Sequence, residues 1–213
     1  SEAGTILNIE KLNVSYPIYE ADPVHALRDL DLKISKGEII GLVGESGSGK
    51  TTLARSIMQL ISQPGRVDSG RIEYNGQDLA TLNEKELRTL RGNDIAMVIP
   101  NPRTELNPLV TVGMQIANVA RYHLSLPRKE AKAMALAMLE AVQIPDPLRR
   151  FKAYPHELSG GMAQRVVMAI ALICSPRFII SDDATSGLDV TVQTQVLELL
   201  QDLVQQQDAS MLF

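Results

Sequence analysis

Residues 44–51 read Gly-Glu-Ser-Gly-Ser-Gly-Lys-Thr and fit the pattern G-x-x-x-x-G-K-[ST]. Just before them, 38–43 (EIIGLV) form a short, nearly continuous apolar run, as a strand covered on both faces would. A helix is expected from about residue 50 to 61. Strand, glycine loop and helix in that order make an anion cradle. Gly44, Gly47 and Gly49 let the backbone N–H groups along Glu45, Ser46 and Ser48 turn inward, and the helix start adds partial positive charge there. The Lys50 ammonium would meet the outer phosphates of a nucleotide. The Thr51 hydroxyl would hold a Mg²⁺ ion, with Thr52 beside it in the first helical turn. The stretch therefore predicts a nucleotide-binding α/β core.

Upstream, residues 5–34 alternate apolar and polar positions, as strands do, around a loop expected at 17–23. Downstream, Gly65 and Gly70 read as a turn, 71–74 as a short strand and Gly76 as the next turn. From 102 to about 154 the character changes. Prolines cluster at 100, 102 and 108, and helix-forming runs follow. The clearest run, 128–142, opens after Pro127 and closes before Pro145, with Met134, Met138 and Leu139 as a core stripe. A helix at 161–173, a strand at 178–181, a helix at 192–205 and the start of a strand at 211–213 complete the chain, which is expected to stop in mid-fold.

The length of 213 residues suits one globular domain, and a 45% apolar content is ordinary for a packed core. A formal net charge of −4 argues against broad nucleic-acid binding, which needs a basic face. The longest apolar run, 166–174, falls far short of the roughly 18–20 residues that cross a bilayer, and no signal peptide is evident. The single cysteine, Cys174, excludes an internal disulfide and reads as a small core residue.

A second stretch, 158–165 (LSGGMAQR), begins another helix. Ser159 is a good N-cap and the following glycines expose backbone N–H groups. With both motifs present, the chain resembles along its whole length the ATP-binding cassette (ABC) ATPases, whose signature is LSGGQ-like. The resemblance implies an α/β P-loop NTPase with a RecA-like core, an N-terminal antiparallel β subdomain and an inserted α-helical subdomain. The core with its β subdomain would cover about 1–100 and 158–213, and the helical part about 101–157. It further implies a head-to-tail dimer in which Ser159, Gly160, Gly161, Met162 and Gln164 of one subunit close over ATP held by the other's phosphate loop. Tyr16 falls where the family stacks an aromatic on adenine. Residues 178–182 (FIISD) resemble the Walker B strand, with Asp182 supporting Mg²⁺, and 186–189 (SGLD) resemble the D-loop that ends at Asp189.

More narrowly, 101–113 (NPRTELNPLVTVG) and 154–165 (YPHELSGGMAQR) resemble the peptide and nickel importer branch. The implied role is the ATP-binding subunit of an importer at the cytoplasmic face of the membrane. Its partners would be a second ATPase subunit and transmembrane permease subunits gripped by the helical part, with no nucleic acid. A soluble ABC ATPase not tied to transport and an ATP-gated module that does not hydrolyse are the alternatives.

Three departures from the family bear on catalysis, which would rest on Lys50 and Asp183. The family's glutamine before the helical subdomain falls at Pro100, which has no side-chain donor or acceptor, and Gln115 is too far along to replace it. The family's water-polarising glutamate is Asp183, one methylene shorter, followed by Ala184 where proline is usual. The family's switch histidine is expected after the strand beginning at Met211, beyond residue 213. His25, His123 and His156 lie elsewhere and read as structural or surface residues.

Overall fold

A computed structural model describes residues 4–99, 102–183 and 188–213. In chain order its elements are β1 (Thr5–Ile18), β2 (Ala21–Ser35), β3 (Ile39–Ile40), α1 (Lys50–Ile57), β4 (Arg66–Tyr74), β5 (Gln77–Asp78), α2 (Glu84–Leu90), β6 (Ile95–Val98), α3 (Pro102–Glu105), α4 (Val112–Leu124), α5 (Arg128–Ala141), α6 (Pro147–Arg150), α7 (Gly160–Leu172), β7 (Phe178–Ser181), α8 (Val190–Gln206) and β8 (Ser210–Leu212). They fall into two compact units. One holds the chain up to Arg91 with Ser210–Phe213, and the other Gly92–Ala209.

In the first unit β2, β1, β4 and β5 form an antiparallel sheet in that order. Ile6, Leu7, Ile9, Leu12 and Val14 of β1 are buried. Adjacent buried residues such as Ile6 and Leu7 break strict alternation, and the β1 ladders shift register at bulges, one around Lys11, which turns to a φ of 47°. Gly70 sits opposite at a φ of 100°, and a Cβ there would collide with the Lys11 carbonyl. The expected turn at Gly70 is thus a bulge within β4, which starts five residues before the expected strand. The loop expected at 17–23 is also shorter. Ile18 pairs with Ala21, so Tyr19 and Glu20 alone make the hairpin, Glu20 at a φ of 55°. Pro23 is accommodated because β2 is an edge strand.

The parallel ladder of β3 is brief, Ile39 facing Met211 and Ile40 facing Leu212 of β8. The expected strand 38–43 persists only as single bonds, the Leu42 N–H donating to the Phe213 carbonyl at 2.6 Å. Helix α1 ends at Ile57, short of residue 61. Arg91 explains the stop: Nε donates to the Met58 carbonyl at 2.8 Å and Nη2 to that of Gln59 at 2.9 Å, satisfying carbonyls the helix end leaves open.

In the second unit β6 and β7 run parallel, from Ile95 beside Phe178 to Val98 beside Ser181. Every residue of β7 is buried, as a strand covered on both faces requires. The buried stripe of α5 is Ala131, Ala135 and Leu139. Met134 and Met138, expected in that stripe, are half-buried. Small residues at four-residue spacing let α4 approach closely with its own Ala117 and Ala120. Helix α7 is buried on most sides, Val166 to Ala169, Ala171 and Leu172 included, which accounts for the apolar run at 166–174. No helix among the described residues is long and apolar enough to cross a membrane.

Candidate functional site

The phosphate loop leaves β3 and enters α1 in the first unit, and residues 43–48 are exposed. Gly47 and Gly49 take φ values of 82° and 97°. Gly49 has no room for a side chain, since a Cβ would lie 2.5 Å from the Ala26 carbonyl oxygen. Gly44 is less confined, since a Cβ there would lie 2.5 Å from the Ser48 Oγ, a side-chain end that can rotate away. Gly49 is the N-cap of α1 and, having no side chain, makes no cap hydrogen bond to the N–H groups of the first turn. Those donors and the helix dipole converge where an anion would sit. Lys50 folds back over the loop. Its Nζ donates to the Gly44 carbonyl at 2.5 Å, the Glu45 carbonyl at 2.8 Å and the Ser48 Oγ at 3.3 Å. Thr51 is exposed and Thr52 half-buried on the first turn. These residues fit a triphosphate with Mg²⁺, because the cradle offers several backbone donors, one mobile ammonium and one hydroxyl. Tyr16, half-buried on β1, lies against Gly65, where a Cβ would collide with its ring.

The second motif starts α7 in the second unit. Ser159 is exposed and caps the helix, its Oγ accepting from the Met162 N–H at 3.3 Å. Gly161 is tightly packed and Gly160 less so. A Cβ on Gly161 would lie 2.8 Å from Val192 Cγ1, and one on Gly160 3.3 Å from Leu188 Cδ2. The α7 mouth is therefore seated on the start of α8, which Asp189 caps by accepting from the Val192 N–H at 3.1 Å. At the end of β7 the Asp182 N–H donates to the Val98 carbonyl at 3.0 Å. Asp183 is exposed at a φ of 46°, a region that aspartate enters more readily than longer side chains.

A family model described as ABC transporter matches residues 27–186. The chain belongs to that family. It is 43% identical over 206 residues to the dipeptide transport ATP-binding protein DppD of Escherichia coli (strain K12), covering 97% of this chain and 63% of that protein. It is 43% identical over 209 residues to the oligopeptide transport ATP-binding protein OppD of Bacillus subtilis (strain 168), covering 98% of this chain and 58% of that one. The chain thus spans about three fifths of the curated relatives it matches. Among solved structures it resembles the dimeric post-hydrolysis state of the ATP-binding cassette MJ0796 bound to ADP and Pi, with a TM-score of 0.85 and 25% identity over 97% of this chain and 86% of that one. The fold is that of an ABC ATPase cassette, with its antiparallel β sheet, parallel strands and helical segments.

Placed in this family, one expected ligand residue falls elsewhere. Gln164, expected to face a partner's nucleotide, is only 1% exposed, and its Nε2 donates to the Ile99 carbonyl at 3.2 Å. A side chain committed inside the unit is not available to a second molecule, so the expectation for Gln164 is corrected. Gln115 is also engaged locally, bonding Asn107 at both ends of its amide and the Val110 carbonyl. It has no amide left for position 100. Pro100, Ala184 and the Ser186–Gly187 part of the D-loop lie outside the described residues.

Of the histidines, His25 and His156 are exposed and His123 is half-buried. His123 packs edge-on to Tyr122 with centroids 4.8 Å apart, and burial holds its pKa below the usual histidine value. His156 stacks on Tyr154 at 5.9 Å. Cys174, expected in the core, is half-buried, and that burial pushes its thiol up to about 11. Sequence reasoning missed Arg91 and Arg165, which hold helix ends. Neither carries a distinct local signal, Arg91 lying in a charged stretch and Arg165 inside a motif.

Proposed function

We propose that this chain is the ATP-binding subunit of an ABC importer for peptides or another small solute. It would work at the cytoplasmic face of the membrane with a second ATPase subunit and permease subunits held by residues 101–157. The observation that carries the reading is the α1 N-terminus. It has a glycine, Gly49, that admits nothing larger, no side-chain cap, and a lysine whose ammonium can exchange loop oxygens for phosphate oxygens. The names of the peptide-transport relatives and the dimeric state of the solved cassette support the partner and solute class.

Mg²⁺, when bound with ATP, neutralises phosphate charge as it develops in transfer. Thr51 and Asp182 would hold that ion, and Tyr16 would stack on the adenine. Lys50 would swing from the Gly44 and Glu45 carbonyls to the outer phosphates. Ser159 and the N–H groups after it would close the site of a partner subunit, adding donors aimed at the same phosphates. Asp183 would orient the attacking water on a short stem, and Pro100 offers nothing where the family has an amide.

The chain's own site would therefore be slow or binding-only, while its intact signature completes a competent site across the dimer. ATPase turnover by the full-length protein, alone and with the second subunit of its transporter, tests this. Turnover should be slow alone and faster in the pair, and Lys50→Ala should abolish ATP binding to this chain. Fast turnover by the protein alone would sink the impaired-site reading, and undiminished binding by Lys50→Ala would sink the assignment of the loop.

A further inference from the structure

We propose that Gln164 and Arg165 are positioning residues. They would carry displacements of the α4–α5 hairpin, and of the strand end at Ile99, to the signature mouth at residues 159–161. The inference rests on the reading that this mouth closes on a partner's nucleotide. Both side chains leave α7 within five or six residues of its N-cap, less than about 10 Å along the axis. They grip different elements of the second unit. Gln164 Nε2 donates to the Ile99 carbonyl at 3.2 Å, and with the glutamine 1% exposed no water stands ready to replace that bond. Ile99 is the last described residue before position 100.

Arg165 reaches the far end of α5. Its Nη1 donates to the Val142 carbonyl at 3.3 Å, to the Gln143 carbonyl at 3.1 Å and to Gln143 Oε1 at 3.4 Å. Helix α5 stops there because Gln143 turns to a φ of 56°, with the Ile144 N–H bonding back to the Leu139 carbonyl. The carbonyls Arg165 takes lie at a helix C-terminus, where a cation is favoured by the dipole as well as by the bonds. All three contacts fall on the one nitrogen, which shares its two N–H groups among them, so an ammonium in its place would keep the charge and part of the bonding.

The mouth itself is seated on α8 through Gly161 against Val192 and Gly160 against Leu188. A helix held at its tip and gripped one turn later on two sides cannot stay in place when either grip moves. A small shift of the α5 end or of Ile99 thus becomes a reorientation of the Ser159 hydroxyl and the N–H groups after it. The phosphate loop of the same chain shares no residue with these bonds.

The test uses the full-length protein, in the cassette pair in which it dimerises, with a non-hydrolysable ATP analogue. The variants are Gln164→Leu, Arg165→Met and Arg165→Lys. Two quantities are read: the analogue's Kd at this chain's own loop, by fluorescence titration, and the analogue concentration that half-dimerises the pair, by analytical ultracentrifugation. Own-loop affinity should stay within about twofold. Half-dimerisation should need about tenfold more analogue in the Leu and Met variants, the scale of one lost buried or charged hydrogen bond, and less extra in the Lys variant. Unchanged dimerisation in the Leu and Met variants overturns the proposal, as does a parallel loss of own-loop affinity, which marks general disruption. Should Arg165→Met not fold, Arg165→Lys, which keeps the cation, carries the same comparison. An unmodified protein that binds the analogue but never dimerises defeats the functional reading instead.

Discussion

At position 183 the backbone and the chemistry make opposite demands. A φ of 46° favours a short polar side chain that can bond locally, so aspartate is at home there. Orienting a water favours the longer glutamate, and a misplacement of about 1 Å can cost ~10²-fold in rate. We expect the double substitution Pro100→Gln with Asp183→Glu to raise turnover of the full-length protein. The glutamate should cost about 1 kcal/mol of stability, since left-handed backbone penalises it. A steady-state ATPase assay beside thermal unfolding measures both, and an unchanged rate would mean that neither departure limits the reaction. Residue identity was most legible where chemistry fixes type and spacing together, as in the loop from Gly44 to Thr51. Gln164 was illegible for a geometric reason. Membership of a motif says nothing of which side of α7 a residue occupies, and each step along a helix turns it by about 100°.

Among the elements, α7 shows a glycine serving two masters. Alanine is the better helix former by up to about 1 kcal/mol, yet at 161 its Cβ would press on Val192 Cγ1 at 2.8 Å. Gly161→Ala should lose about 1–2 kcal/mol net through overpacking and weaken ATP-dependent dimerisation, seen by denaturant unfolding and sedimentation. Gly160→Ala, with a 3.3 Å approach to Leu188, should lose less. Helix α4 carries a pH dependence. Burial favours the neutral His123 imidazole in the folded state, so the unfolded chain binds more protons and stability falls as pH drops through the ordinary histidine value. Melting curves from pH 8 to 5 should show His123→Gln losing less stability over that interval than the parent, and parallel curves would refute the assignment. The existence of most elements could be read from periodicity, but their ends could not. Helix α1 stops where Arg91, more than thirty residues on, takes its carbonyls. The β1–β2 hairpin tightens because cross-strand pairing outweighs two prolines that read locally as a loop.

For the molecule as a whole, closure of the first unit depends on a residue near the last position. Ser210 is 1% exposed; its Oγ accepts from the Gly37 N–H at 2.8 Å and donates to the Ser35 carbonyl at 3.2 Å. Ser210→Ala would remove both bonds that the buried hydroxyl makes, and we expect a loss of about 1 kcal/mol in urea unfolding with the m-value unchanged. The architecture was legible because two glycine motifs lie on it at fixed places. The 210–213 strand's return to β3 was not, because a contact across more than 170 residues leaves no local pattern.

The folded-back Lys50 has a consequence for what the loop ignores. An ammonium has three protons, and here three oxygens already receive it. The ammonium therefore presents its solvent with a charge whose bonds are spoken for. A lone small anion would have to break several contacts to gain one, whereas a chain of linked phosphates offers replacements for all of them together. Lys50 thus favours linked phosphates over a lone small anion without any residue shaped to exclude the latter.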